Sequence, residues 1–321
     1  MIREKQMVVC ITGPTASGKS AAAVTASQAL GGEVLSMDSM QVYRGLCVGT
    51  AKPSTLEMGG VPHHLLSYIP PDASYSVAEY QRDAREELLR IFRRGNLPVF
   101  CGGTGLFLRA VCHPLRFTGA GGETAIRAQL QEEAAQPDGP QALLSRLAVV
   151  DPQSARHLHA NNTRRVIRAL EVYISTGIPM SEQRGEWDAE PEEDWHIFAL
   201  NWPRETLYAR INARVDKMIS AGLIQEVENL LHQGVPKNAQ AMQAIGYKEI
   251  ISMLDGECTR AEAIEAIKMN TRRYAKRQLT WLRRDERIVW LNLETYRNEV
   301  EAHKDLTRRI QAIQEARNAA V

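Results

Sequence analysis

One octapeptide, Gly13-Pro14-Thr15-Ala16-Ser17-Gly18-Lys19-Ser20, constrains the fold of this chain more than any other stretch. It reads glycine, any four residues, glycine, lysine, serine. An apolar run at 7–11 precedes it, and an alanine-rich segment at 20–30 with good helix propensity follows. Strand, glycine loop, helix is the context that makes this pattern a P-loop rather than a plain glycine turn. The glycines let the backbone amides of residues 16–20 turn inward around an anion, and the following helix adds its positive N-terminal dipole. Lys19 supplies a mobile cation for phosphate oxygens, and the Ser20 hydroxyl is a ligand for Mg²⁺. The motif points to a diphosphate or polyphosphate. It says neither which one nor what happens to it.

Composition excludes several classes. The chain has 321 residues, enough for one large domain or two with an ample core. No apolar run approaches the ~20 residues of a membrane span, and the N-terminus leads straight into a strand without a signal-peptide core. The cysteines, Cys10, Cys47, Cys101, Cys112 and Cys258, are scattered, with no Cys-x-x-Cys pair, so neither a disulfide framework nor a zinc site is expected. Reduced thiols in a cytoplasmic protein fit that usage. Net charge is +1, so a nucleic-acid partner would need a local basic patch rather than the field of the whole molecule.

Residues 1–114 alternate strand and helix. Strands are predicted at 7–12, 33–36 and 97–101, and helices at 19–30 and 76–94, the second opened by Ser76 and Glu79 in capping-box spacing. Such alternation predicts a parallel sheet flanked by helices, whose ligands sit beyond the carboxyl ends of the strands. The P-loop, Asp38 and Thr104 each follow a strand end, so they should converge on one crevice. Further on the character changes. The glycine-rich stretch 114–122 reads as a flexible link, and 123–136, 140–149 and 162–176 read as helices, with Gly177 placed to stop the third. Residues 195–201 return to the sheet. Residues 204–233 form a long helix or a pair broken near Gly222, 259–284 another long helix, 287–293 a last strand, and the tail from Tyr296 a polar helix. The expected fold class is α/β: a P-loop NTPase-like parallel sheet core flanked by helices, with a helical insertion domain. Its first part is 1–114, the insertion is 115–195, and 196–321 is the return to the core plus a helical C-terminal extension.

Asp38 opens the stretch Asp38-Ser39-Met40-Gln41. A carboxylate at a strand end beside a P-loop serves as Mg²⁺ ligand, proton acceptor or helix cap, and residue types alone leave all three open. Lys52, in an irregular loop at 45–53, could reach a phosphate, although a solvated loop lysine is the commoner case. His63 and His64 are adjacent, so their side chains diverge and make a poor two-histidine metal site. Gly102, Gly103, Thr104 and Gly105 imply either a close backbone approach or a tight turn. Two basic clusters stand out. Arg164, Arg165 and Arg168 follow Asn161 and Asn162, and 260–287 holds nine basic residues against four acidic ones, with Tyr274 and Trp281 interleaved. Arginines among aromatics suit RNA phosphates and stacked bases, although a solvated helix face explains most such runs. No later strand leads into an aspartate of the kind that holds Mg²⁺ in ATPase motors, which counts against simple nucleotide hydrolysis.

Taken together, these segments resemble the tRNA dimethylallyltransferases of the bacterial type, also called tRNA isopentenyltransferases. The matching residues are the P-loop octapeptide, Asp-Ser-Met-Gln-Val-Tyr-Arg-Gly at 38–45, Gly-Thr-Ala-Lys-Pro at 49–53 and Pro-His-His-Leu-Leu at 62–66. They continue with Gly-Gly-Thr-Gly-Leu at 102–106, Arg-Ala-Leu-Glu-Val at 168–172, Ile-Gly-Tyr-Lys at 245–248 and Ala-Lys-Arg-Gln-Leu-Thr-Trp at 275–281. Many families share the P-loop; the 38–53 and 275–281 blocks carry the specificity. The likeness covers 7–293. Gly105, and the more basic stretch 163–165, depart from some members. Eukaryotic members add a C-terminal zinc finger, and this chain carries no such Cys/His set.

The resemblance implies transfer of the dimethylallyl group of dimethylallyl diphosphate to the exocyclic N6 of adenosine 37 in tRNA, with diphosphate leaving and Mg²⁺ as cofactor. The P-loop would then hold a prenyl diphosphate where a kinase holds ATP. By the same resemblance Asp38 is the general base, and Thr104 contacts the reacting region from the opposite wall. Arg214, one turn from Arg210 on the same helix face, assists on the phosphate side. The adenine is flipped out of its loop to react. Contacts with tRNA fall to Asp38, Ser39, Met40, Gln41 and Thr104, and to Asn162, Thr163, Arg164, Arg165 and Val166. They extend to Gln243, Ala244, Ile245, Gly246, Tyr247 and Lys248, and to Arg273 and Arg277. The insertion is expected to clasp the anticodon stem-loop, and the protein to act as a monomer. Three rivals remain. A small-molecule P-loop kinase leaves the arginine-bearing helices unexplained. A free-adenylate isopentenyltransferase needs no RNA clasp. A non-catalytic RNA-binding protein with a relict P-loop fits poorly with an intact Lys19, Ser20 and Asp38.

Overall fold

The computed structural model describes residues 5–113, 124–182 and 190–319. Strand β1 (Met7–Thr12) is buried along its whole length, as a parallel strand covered on both faces must be. The P-loop carries the chain into α1 (Lys19–Leu30), whose Ala22, Ala23 and Ala26 are buried in the same apolar cluster as Val9 and Ile11. Short side chains on that face let the helix lie close to the sheet. Next come β2 (Gly32–Ser36), the one-turn α2 (Thr55–Met58), the two-residue β3 (His63–His64) and α3 (Val77–Arg93). Then follow β4 (Leu97–Cys101) and α4 (Gly105–Cys112). Helix α3 opens with the expected capping box: the Ser76 hydroxyl accepts the Glu79 amide at 3.2 Å, and the Glu79 carboxylate accepts the Ser76 amide at 2.7 Å.

Helices α5 (Thr124–Ala134), α6 (Gly139–Val150), α7 (Pro152–Arg156) and α8 (Thr163–Thr176) come next. The chain then re-enters the sheet as β5 (Asp194–Asn201), followed by α9 (Arg204–Ser220), α10 (Leu223–His232), α11 (Tyr247–Leu254) and α12 (Arg260–Leu282). Strand β6 (Val289–Asn292) and α13 (Glu299–Ala319) complete the described chain. Of the two readings of 204–233, the pair is correct. Gly222 has φ +96°, a left-handed backbone that ends one helix and that glycine adopts without a Cβ penalty.

The chain divides into two compact units, Met1–Val111 with Glu193–Val321, and Cys112–Glu192. The first holds a six-stranded sheet in the order β3-β2-β4-β1-β5-β6, with every neighbouring pair parallel. Strand order reverses at β1, which lies between β4 and β5, so the crevice beyond the carboxyl end of β1 is the natural ligand site of such a sheet. The second unit packs α5, α6 and α8 around Leu130, Leu143, Leu147, Val166 and Leu170. Buried in it is Glu171, whose carboxylate accepts from Arg127 at 2.9 and 3.0 Å and from Arg168 at 3.1 Å. A carboxylate taken out of water requires such partners. Arg168 is therefore engaged inside its own unit, while Arg164 and Arg165 are exposed. The glycine-rich stretch 114–122 lies outside the described residues.

Candidate active site

Three segments that follow strand ends converge, as their positions required. The P-loop after β1, residues 38–41 after β2 and Gly102 after β4 line one cavity of about 370 Å³ with parts of α9, α12 and the turn ahead of α11. Asp38 organises its own segment: its Oδ1 accepts the amides of Met40 at 2.9 Å and Gln41 at 3.3 Å. Gln41 donates through Nε2 to the Thr50 carbonyl at 3.2 Å, which ties this turn to the 45–53 loop. Thr104 lies differently from the expectation of an opposite wall. Its hydroxyl accepts the Ser39 amide at 3.2 Å, so it buttresses the same turn that carries Asp38.

The glycines after β4 answer the choice between tight turn and close approach. A Cβ on Gly102 would lie 2.1 Å from the Met37 carbonyl oxygen, and one on Gly105 would lie 2.4 Å from the Trp281 ring. Close approach is therefore the requirement. Gln278, one turn before Trp281 on the same face of α12, joins the two phosphate-side loops. Its Oε1 accepts the Thr15 amide at 2.9 Å, and its Nε2 donates to the Gly103 carbonyl at 2.9 Å. The 275–281 block thus has a physical basis in Gln278, to which sequence reasoning assigned no role, and in Trp281, which it weighed only as a base-stacking aromatic.

The electrostatics of the cavity are lopsided. Lys19 lies above the P-loop, donating to the Pro14 carbonyl at 3.3 Å. Burial, and then the neighbouring Arg214 guanidinium, push its ammonium below the usual lysine range. Burial likewise lowers Arg214, and Asp38 and Glu57 oppose that shift. Two part-buried cations thus share the cavity, with Asp38 as the carboxylate that both feel. An incoming polyanion relieves that repulsion. Arg210, one turn away, does not enter the cavity lining; it donates to the Ala16 carbonyl at 2.9 Å. Tyr274 also lines the cavity, and burial pushes its phenol up to about 12. Cys101 stays a thiol there, raised by burial to about 11.

Two carboxylates hold the loops that complete the cavity. Glu226 accepts the amides of Cys47, Val48 and Gly49 at 2.9, 2.8 and 3.1 Å and the Tyr247 hydroxyl at 2.6 Å. Glu249 accepts the Gly246 amide at 2.7 Å and the Asn270 amide at 2.8 Å, which shapes the 243–248 turn. Gln243, Ala244, Ile245, Gly246 and Lys248 line the cavity. Tyr247 is fully buried, and its contribution is the bond to Glu226. Replacing Glu226 by glutamine is expected to lower stability by about 1–3 kcal/mol, the cost of leaving several donors on one weakened acceptor. A denaturant midpoint shift at constant slope would measure it.

Several candidate residues have structural partners of their own. Lys52 does not reach toward phosphate; its Nζ donates to the Tyr43 carbonyl at 2.7 Å and closes its own loop. Val166 has no exposed surface, so its side chain serves the core of the second unit and not RNA. Asn162 caps the turn ahead of α8, its Oδ1 accepting the His159 amide at 3.0 Å, and Thr163 donates to the Ala160 carbonyl at 3.0 Å. The adjacent histidines diverge as strand geometry dictates. His64 lies 2.6 Å from Glu33, a carboxylate that Arg94 holds down at about 2, while His63 lines the cavity. Arg273 and Arg277 are exposed on α12, with Arg277 at the cavity.

Comparison with known proteins supplies the remaining observation. A family model described as IPP transferase matches residues 41–285, and one described as isopentenyl transferase matches residues 6–67. The tRNA dimethylallyltransferase of Desulforudis audaxviator is 48% identical over 304 residues, which cover 95% of this chain and 97% of that one. That of Pelotomaculum thermopropionicum is 47% identical over 293 residues, covering 91% and 93%. This chain belongs to the tRNA dimethylallyltransferase family. Among solved structures, the full-length tRNA isopentenylpyrophosphate transferase of Bacillus halodurans superposes with a TM-score of 0.73 at 40% identity, covering 99% of both chains. A eukaryotic dimethylallyltransferase acting on tRNA superposes with a TM-score of 0.77 at 29% identity, covering 89% of this chain and 74% of that one. The P-loop NTPase-like core is thus the scaffold of a tRNA dimethylallyltransferase-type prenyltransferase rather than of a kinase.

Proposed function

We propose that this protein transfers the dimethylallyl group of dimethylallyl diphosphate to N6 of adenosine 37 in tRNA, releasing diphosphate. The observation that carries the reading is the part-buried cationic pair Lys19 and Arg214, lining the same cavity as Asp38. Two cations suit a departing diphosphate, and a carboxylate suits the proton of a weakly nucleophilic amine. As N6 bonds to C1 of the dimethylallyl group, the C1–O bond breaks and its electron pair leaves on the diphosphate. Lys19, Arg214 and the P-loop amides stabilise that charge where it develops. Asp38 accepts the N6 proton, and Thr104, through the Ser39 amide, keeps the Asp38 turn in place.

Ser20 and Asp38 both line the cavity and offer hard oxygen donors, a set that suits Mg²⁺ when a diphosphate supplies further oxygens. When bound, Mg²⁺ would neutralise charge on the leaving diphosphate. Among the described residues no group of three or more His, Cys, Asp or Glu side chains could hold a metal.

For tRNA, the cavity-lining turn 243–248, the Asp38 segment and the exposed Arg273 and Arg277 supply one set of contacts, and Arg164 and Arg165 of the second unit another. The second unit, the helical insertion that separates the two halves of the core in sequence, is read as the part that clasps the anticodon stem-loop. We take the protein to work as a cytoplasmic monomer. No described helix is long and apolar enough to cross a membrane. Neutralising Arg273 and Arg277 together is expected to weaken tRNA binding and to reduce the slope of log affinity against log salt by about 1–2. An unchanged slope would remove this patch from the interface.

The direct test is incubation with unmodified tRNA and dimethylallyl diphosphate, followed by nucleoside analysis. N6-dimethylallyladenosine at position 37 is the expected product. Modification of free AMP in preference to tRNA, or phosphate transfer from ATP, would replace the reading.

A further inference from the structure

The P-loop of this chain is held in shape from behind by a charged pair that lies outside the cavity lining. The Ser17 amide donates to the Pro14 carbonyl at 3.3 Å, which closes a four-residue turn with Ala16 at its third position. Ala16 has φ +64°, while Thr15 is not among the residues of positive φ. That is the pattern of a type II turn, whose third position takes glycine by preference because a Cβ crowds the left-handed backbone. Here the position carries a Cβ. Its carbonyl points to Arg210, whose Nε donates to it at 2.9 Å.

Arg210 is itself fixed on two sides. Its terminal nitrogens donate to the two carboxylate oxygens of Glu299, at the start of α13, at 2.7 and 3.2 Å. Its guanidinium also lies 4.9 Å from the centre of the Trp202 ring. Glu299 is close behind the phosphate loop: a Cβ on Gly18 would meet its Oε2 at 2.7 Å. An uncompensated carboxylate there would repel a diphosphate. Paired in a two-pronged geometry with Arg210, it instead orients the arginine toward the Ala16 carbonyl.

We infer that Arg210 and Glu299 are positioning residues. Together they hold Ala16 in its left-handed conformation, so that the P-loop is already formed when a diphosphate arrives. Neither residue touches the substrate. The inference rests on the reading that this P-loop binds a prenyl diphosphate, and it assigns to the C-terminal helix α13 a part in that binding.

The test separates positioning from direct contact and from mere stability. Binding of inorganic pyrophosphate with Mg²⁺ is measured by calorimetry for the full chain and for Arg210→Gln, Glu299→Gln, and Arg210→Gln combined with Ala16→Gly. Steady-state constants are measured alongside. Wild-type protein is expected to bind pyrophosphate; if it does not, the diphosphate reading and this inference fall together. With wild-type binding in hand, Arg210→Gln is expected to weaken it by tenfold or more, the worth of one charge-assisted hydrogen bond. KM for dimethylallyl diphosphate should rise and KM for tRNA should stay. Adding Ala16→Gly to Arg210→Gln should restore most of the lost affinity, because glycine adopts the left-handed backbone without being held. Glu299→Gln should fall between wild type and Arg210→Gln, and it serves in place of Arg210→Gln should that variant fail to fold. Unchanged pyrophosphate affinity in either single variant, or a failure of Ala16→Gly to rescue, overturns the inference while leaving the diphosphate reading intact.

Discussion

Asp38→Asn is expected to lower turnover by about 10²–10⁴ while leaving tRNA affinity close to that of wild type. Asparagine is the informative substitution because Asp38 has two jobs. Its Oδ1 accepts the amides of Met40 and Gln41, and an asparagine carbonyl can do the same. The turn therefore persists, and only the capacity to take a proton is lost. Pyrophosphate binding without metal should tighten or stay level, since a negative charge has been removed from beside Lys19 and Arg214. Single-turnover rates on tRNA with saturating dimethylallyl diphosphate check the first effect. A near-normal rate would show that N6 gives up its proton elsewhere. A loss confined to Mg²⁺-dependent pyrophosphate affinity would instead make Asp38 a metal ligand, the alternative that its residue type left open.

Lys19→Met is expected to weaken pyrophosphate binding by about 10²-fold or more, on the scale of removing one preorganised charged donor. The same variant should unfold at a higher temperature than ligand-free wild type, because it removes one of two part-buried cations that repel each other. Its pH dependence carries a sign. The charged ammonium is the form that attracts the diphosphate, and burial and Arg214 lower its pKa from 10.5. Wild-type affinity should therefore be intact on the acid side of that lowered value and fall as pH rises through it, earlier than an ordinary lysine would allow. Bound diphosphate favours the charged form, so binding in that window should take up protons, read as a dependence of calorimetric heat on buffer ionisation. Lys19→Met should lack both signatures. A wild-type protein whose affinity is flat up to pH 10.5 would contradict the buried setting of Lys19.

Much of the core could be read directly. The continuous apolar run of β1, the glycine pattern after it and the Ser76–Glu79 cap are local signals, each set by residues adjacent in sequence. The pieces that escaped are those without such a signal. Strand β3 has two residues and no periodicity; it exists because Val34 of β2 offers it a partner. Lys52 and Val166 had residue types suited to phosphate and to a basic helix start. Their roles turned on which way the folded backbone aimed them, toward the Tyr43 carbonyl and into the core around Leu130. Gln278 was visible only as part of a distinctive block. Its function, bridging Thr15 and Gly103, joins positions far apart in sequence.

The order of residues along the chain was enough to predict a parallel α/β sheet with a glycine loop of phosphate-cradling type and to nominate Lys19, Ser20 and Asp38, because hydrogen-bond capacity and backbone freedom belong to each residue and its immediate neighbours. Tertiary structure alone decided which charges meet. The repulsion between Lys19 and Arg214, the sharing of Asp38 and the hold of Glu299 and Arg210 on Ala16 all depend on segments that only folding brings together. Coulombic energy varies with distance and with the exclusion of water, and neither quantity is written in a sequence.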